Sequence, residues 1–384
     1  MLVLAMGLLY SINAFSVSWV IRKGRFEMSN ANMADEKKSK RAGCLRWLGR
    51  VALGGVILLL GLAAIGAIYQ AVASARDAKI YKPVDQMVDV NGVKMRLDCR
   101  GSGSPTVILE AGGQSPSFVW VRIQDEVAKF TRVCSYDRAG YGWSDSVHET
   151  LYPQQVAEML HILLENGGEK PPYLMVGHSF GGVYIRAFTA EYSDEVVGMV
   201  LVDSSHENQN QLTPPELAQS PEYAQRKNSS VAIFRLLQVA EPIGLLRAFK
   251  FMDAGTASLS LPENEKGAVL AQMYRAGFMG AYVRETLMMM DYSGKPRKLG
   301  DLPLIVLSRK IDAQDMVEQI PSTLQSMELA QQMADIANDM HNELAALSTH
   351  GKWIIVEDTG HFIQLDQPQA VIDAIQEVFG QASK

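Results

Sequence analysis

Gly177-His178-Ser179-Phe180-Gly181 sets a serine between two glycines, each two residues away. A serine hydroxyl is a weak nucleophile and needs a base to take its proton during attack. The glycines suit a turn so tight that side chains two positions before and after the serine would collide; Gly177 and Gly181 avoid this by lacking Cβ. A serine held there, with His178 beside it, is expected to be strained, its hydroxyl projecting from the turn. The N-terminus of a following helix would stabilise negative charge behind it. The chemistry implied is acyl transfer.

The expected base is His361, which follows Gly360 near the C-terminus. A carboxylate should orient its imidazole and stabilise the charged form. Asp312 is expected in that role, four residues beyond the apolar run Pro303–Ser308, with Asp203 and Asp315 as alternatives. An oxyanion needs two backbone N–H donors. Phe180 should supply one and Gly113, in Gly112-Gly113-Gln114, the other, with Gln114 as the alternative one residue on.

The elements that must position these groups alternate. Asn91-Gly92 between two strand-like runs predicts a hairpin. Apolar runs follow at 106–111, 132–137, 173–178, 198–203, 303–308 and 352–358, separated by amphipathic segments. Near-continuous apolar strands alternating with helices predict a mostly parallel sheet covered on both faces, here eight-stranded. The serine follows one strand and precedes a helix, which is the setting a nucleophile elbow requires. Residues 204–299 hold no convincing strand and are too long for an ordinary connection. They are expected to form a helical cap, while 84–203 and 300–384 form the core.

The N-terminal region reads differently. Val51–Tyr69 carries no charge and is long enough to cross a bilayer. Lys37, Lys38, Lys40, Arg41, Arg46 and Arg50 precede it. By the positive-inside rule, that basic side stays cytoplasmic and the rest of the chain lies outside. The expected layout is an apolar run and basic segment at 1–50, an anchor at 51–70 and a polar linker at 71–83. A secreted form cleaved near Ala71–Ala75 is the alternative. Met1–Ile21 is also uncharged, so a two-helix hairpin or a start at Met28 or Met33 both fit.

Apolar residues make up 47% of the chain, which excludes a disordered protein, and a net charge of −6 without a basic patch in the later part argues against nucleic acid as a partner. Three cysteines and scattered histidines show no metal-ligand spacing. Neither a metal nor a cofactor is expected.

Over roughly residues 80–384 the chain resembles the α/β-hydrolase superfamily, in its serine esterase, epoxide-hydrolase-like and haloperoxidase-like branch. The resemblance includes Asp137-Arg138-Ala139-Gly140-Tyr141-Gly142-Trp143-Ser144, similar to a DRxGxGxS motif that shapes the loop beside the site. Glu110-Ala111-Gly112-Gly113 stands where many relatives have His-Gly, and Arg309 where a glycine usually precedes the acid by three residues. Ser179 sets the chain apart from branches with aspartate at the elbow. The resemblance implies an acyl-enzyme and a small-molecule ester-type substrate. Met288, Met289, Met290, Leu236, Leu237, Leu245 and Leu246 in the cap lean towards small to medium apolar groups. Aminopeptidase-like activity, with Glu263 or Glu265 holding an amine, haloperoxidase-like or C–C bond-cleaving activity, and a non-catalytic binding module are the alternatives. The family's strand order would also bring Cys99 and Cys134 within reach of a disulfide.

Overall fold

The computed structural model describes residues 27–82, 86–257 and 259–382. The Met1–Ile21 run therefore lies outside the described residues. The chain divides into two units, residues 1–62 and 63–384.

Helix α1 runs from Glu27 to Tyr81, so the basic segment and the anchor share one helix. It is long and apolar enough to cross a membrane. Its apolar side chains stand open, with Leu58, Leu59 and Leu60 each more than 60% exposed. The stretch expected as a linker at 71–83 is helical as far as Tyr81. Asp77 within it pairs with Arg247 at 2.5 Å, and Gln70 just before it donates to the Tyr274 carbonyl at 2.6 Å.

The second unit is built on an eight-stranded sheet in the order β1-β2-β4-β3-β5-β6-β7-β8. The strands are β1 Gln86–Val90, β2 Val93–Arg100, β3 Thr106–Glu110, β4 Val133–Tyr136, β5 Tyr173–His178, β6 Val196–Val202, β7 Leu304–Arg309 and β8 Gly351–Val356. The sheet is mixed: β2 is antiparallel to both β1 and β4, and the remaining pairs are parallel. Cys99 and Cys134 face each other across β2 and β4 and form a disulfide. Strands β3 to β6 are buried almost throughout, because helices cover both faces.

Helices α2 Gln124–Val127, α3 Pro153–Gly167 and α4 Gly181–Glu191 precede the cap. The cap holds α5 Pro215–Ala218, α6 Pro221–Ala240, α7 Leu245–Ala248, α8 Asp253–Ala257, α9 Lys266–Met273 and α10 Phe278–Asp291. Its core joins Leu246, Met252, Tyr274, Phe278 and Met279 to Tyr141 of the sheet's loop. Beyond β7 lie α11 Ala313–Val317 and α12 Met327–Ala345, which close a small core of their own around Ile320 and Ala330. The chain ends with α13 Ile363–Asp366 and α14 Pro368–Ala382.

Candidate active site

Ser179 sits between β5 and α4 with φ of 51°. A left-handed conformation costs a residue with a side chain free energy, and persists only where the surroundings impose it. Here they do. The Ser179 N–H donates to the Val202 carbonyl at 3.0 Å, and its own carbonyl accepts from Gly182 and Ser205, each at 3.0 Å. A Cβ on Gly177 would stand 2.8 Å from the Gly181 backbone, and one on Gly181 would stand 2.5 Å from the Ala111 carbonyl. Strand, turn and helix thus meet too closely for side chains at those two positions.

His361 lies in the loop between β8 and α13, its side chain 46% exposed. Its Nδ1 is 2.6 Å from Oδ2 of Asp203, the first residue after β6. Asp203 is buried and left-handed, with φ of 41°. Its Oδ1 accepts the Arg309 N–H at 3.2 Å, the Arg309 guanidinium approaches Oδ2 at 3.5 Å, and His341 stands 3.8 Å from Oδ1. Burial alone would raise the Asp203 carboxyl. The hydrogen bond and charge of His361, with His341 and the Arg309 amide, outweigh it and hold the group below the ordinary aspartate range. The carboxylate therefore stays ionised at neutral pH.

The structure brings Asp203, and not Asp312, to His361. Asp312 caps α11: its exposed carboxylate accepts from the N–H of Gln314 at 2.9 Å and of Asp315 at 3.3 Å. Asp315 completes the same box by accepting the Asp312 N–H at 3.0 Å. Both carboxylates are taken up by helix initiation. The residue of β7 that bears on the pair is Arg309, its last, whose amide and side chain both face Asp203. Asp203 was legible as an aspartate at the end of a buried strand. Its pairing with His361 stood as an alternative to Asp312, and which aspartate meets the imidazole was not legible.

His178 is fully buried and donates through Nε2 to the His361 carbonyl at 2.9 Å, with the two rings 4.7 Å apart. Burial, then the proximity of His361, lowers its pKa to about 3, so the ring is neutral at neutral pH. An unfolded chain would protonate it near pH 6.5. Stability from this site is therefore complete above that pH and declines as pH falls towards 3, by up to about 1.4 kcal/mol per unit. His178→Gln should flatten the fall of melting temperature between pH 6 and 4. Thermal melts of both proteins across that range check it, and parallel curves would exclude His178 as the cause.

The loop after β3 closes on the elbow. A Cβ on Gly112 would fall 2.8 Å from His178 Nδ1 and 3.1 Å from Ser179 Cβ. One on Gly113 would fall 2.6 Å from Met289 Sδ and 3.3 Å from Phe180 Cβ. Among the described residues, no protein acceptor takes the N–H of Gly113 or Phe180. The Gln114 N–H is occupied, donating to Glu285 Oε2 at 2.5 Å. Of the two loop amides considered, the available one is that of Gly113.

Arg138 of the Asp137–Ser144 motif holds this loop from beneath. Its guanidinium donates to the carbonyls of Ala111 at 2.7 Å and Gly112 at 2.8 Å, and pairs with Glu110 at 2.7 Å and Glu285 at 3.1 Å. Glu285, on α10, also accepts from Tyr141 at 2.5 Å and Tyr184 at 2.6 Å. Asp137 ties the motif together by accepting from Ser117 and from the Trp143 N–H at 2.9 Å. Gly142 must lack a Cβ, which would lie 2.0 Å from Asp137 Oδ2.

Glu285 carried no sequence signal, since it sits in the cap 171 residues from Gln114. Glu285→Ala would remove one of the two carboxylates paired with buried Arg138 and leave the Tyr141 and Tyr184 hydroxyls without their acceptor, and should destabilise the protein by about 1–3 kcal/mol. It should also release the loop and lower kcat by about 10²-fold, the scale of losing an oxyanion donor. Melting temperature and kcat measured on the same preparation check both effects. Unchanged kcat in a folded variant would show that the loop holds its shape without Glu285.

The sequence profile of the Alpha/beta hydrolase family matches residues 102–374. The uncharacterized protein YbdG of Bacillus subtilis is 28% identical over 155 residues, covering 40% of this chain and 47% of that protein. The chain thus spans about half the length of that relative. Among solved structures, a thermophilic esterase from Thermogutta terrifontis aligns with a TM-score of 0.53 and 19% identity, over 78% of this chain and 99% of that one. A Bacillus megaterium epoxide hydrolase aligns with a TM-score of 0.54 and 17% identity, over 77% and 100%. At such identities the likeness is one of fold.

Proposed function

Since the chain belongs to the Alpha/beta hydrolase family, we propose that it is a serine hydrolase cleaving carboxylic esters of small to medium apolar substrates through an acyl-enzyme. The observation that carries this is the 2.6 Å bond between His361 Nδ1 and buried Asp203, beside a serine held in a left-handed turn. With Asp203 ionised, the shared proton rests on Nδ1, leaving Nε2 free to act as the base. Ser179 Oγ attacks the acyl carbon as His361 takes its proton. The N–H groups of Gly113 and Phe180 receive the oxyanion. Collapse expels the alcohol, which takes the proton back from His361. Water, deprotonated by His361, then releases the acid and frees Ser179.

The apolar preference rests on Met289 beside Gly113 and Phe362 beside His361. The aminopeptidase-like alternative finds no support from Glu263, whose side chain is 86% exposed and paired with Lys266 at 2.6 Å.

The chain is anchored by α1 with its catalytic unit outside the cytoplasm. The order of charges around Val51–Tyr69 supports that orientation. So does the Cys99–Cys134 disulfide, a bond that persists in oxidising compartments.

A fluorophosphonate probe tests the chemistry, because it reports an activated serine whatever the natural substrate. The full chain should label, and chromogenic esters should be turned over best with uncharged acyl groups of short to medium length. A folded protein that never labels would favour a binding module. Faster turnover of amides or of charged esters would overturn the substrate class.

A further inference from the structure

We infer that the cap is itself a membrane-docking surface, seated on the lipid bilayer that α1 enters; this rests on the anchoring proposed above. The register between cap and helix carries the inference. The turn between α6 and α7 packs against α1 at Gly66: a Cβ on Gly66 would stand 2.2 Å from the Ile243 carbonyl oxygen, and one on Gly244 would stand 2.7 Å from the Gly66 carbonyl. Gly66 lies inside the apolar run Val51–Tyr69, and the next charge along the helix is Arg76. Three residues of helix rise place Gly66 about 5 Å inside the end of that run. The turn therefore sits at the depth where hydrocarbon gives way to headgroups.

Around this turn the cap exposes large apolar side chains. Leu236 and Val239 are each 68% exposed, Phe249 79%, and Phe251 50%. Leu237 and Ala240, on the other face of α6, pack into the cap's core, so the outward residues are not a displaced core face. All four lie within eight residues of Ile243 along the chain, on α6 and on the segment that follows α7. Lys250 stands exposed between the two phenylalanines, and Arg235 beside Leu236. Long basic side chains at an interface keep their charge in the headgroup layer while their stems lie along apolar surface. Elsewhere in the cap, Leu259 and Leu261 share a hydrophobic cluster with Phe362, beside His361.

The test uses the full chain reconstituted in nanodiscs of mixed neutral and anionic phospholipid, with Cys44→Ser removing the one cysteine outside the Cys99–Cys134 pair. Spin labels are placed singly at Phe249→Cys, Leu236→Cys, Leu59→Cys within the anchor, and Gln331→Cys on the exposed face of α12. Each variant is retained only if its melting temperature is unchanged. Relaxation by oxygen, which enters lipid, is compared with relaxation by a water-soluble nickel complex. The expected result is that 249 and 236 group with 59, with oxygen dominant, while 331 responds chiefly to nickel. Labels at 249 and 236 that respond like 331, with 59 in lipid, would overturn the docking and leave the anchor standing. A label at 59 open to nickel would overturn the anchor and the docking with it. Labels at 249 and 236 shielded from both agents would show that a second copy of the chain covers the patch, and would also overturn the inference.

Discussion

Ser179→Ala should remove roughly 10⁶-fold of kcat and all fluorophosphonate labelling, the scale seen when a covalent nucleophile that acts as a unit with its base is deleted. The loss should be kinetic and not structural. The hydroxyl makes no contact that the elbow needs, since backbone bonds to Val202, Gly182 and Ser205 hold the turn. Melting temperature should therefore stay within about 0.5 kcal/mol of the parent in free-energy terms, as for changes away from packing or capping features. Ester turnover within tenfold of the parent in a correctly folded Ser179→Ala protein would end the acyl-enzyme mechanism. Hydrolysis would then have to proceed by direct attack of water.

Asp203→Asn should lower kcat by about 10⁴-fold while barely changing KM, because the amide can donate to Nδ1 and so favours the wrong tautomer of His361. The paired control is Asp312→Ala, which should leave kcat unchanged and cost about 1 kcal/mol of stability through the lost helix cap. Kinetics and melts on both variants discriminate sharply, because the two aspartates follow adjacent strands that run parallel, with Val202 opposite Leu307. A reversed outcome, with Asp312 essential and Asp203 dispensable, would require a rearranged active loop. Linkage gives a further sign. Asp203 titrates below the ordinary aspartate value, so its bond to His361 is intact at neutral pH and is lost only as pH falls through that lowered value. Loss of activity at mildly acidic pH would therefore not report Asp203.

Local chemistry decided much of this protein before folding is considered. The glycines at 177 and 181 are required by backbone approach within one turn. The strands are required by apolar runs that only burial on two faces can satisfy, and the long exposed helix by an uncharged stretch that water would not tolerate. What sequence could not determine are the pairings between distant side chains. Whether an aspartate orients a histidine or starts a helix depends on which groups the fold sets against it. At 312 the nearest donors are its own helix's amides, while at 203 they are Arg309, His341 and His361 from three later elements. Glu285 is the same case, an ordinary helix residue until packing sets its carboxylate under the Gln114 amide. The helical state of 71–81 follows suit: Asp77 within it is held by Arg247, and Gln70 just before it by the Tyr274 carbonyl, which only the folded cap presents. Sequence encodes bonds to near neighbours directly, whereas bonds across the sheet edge exist only once the strands have chosen their order.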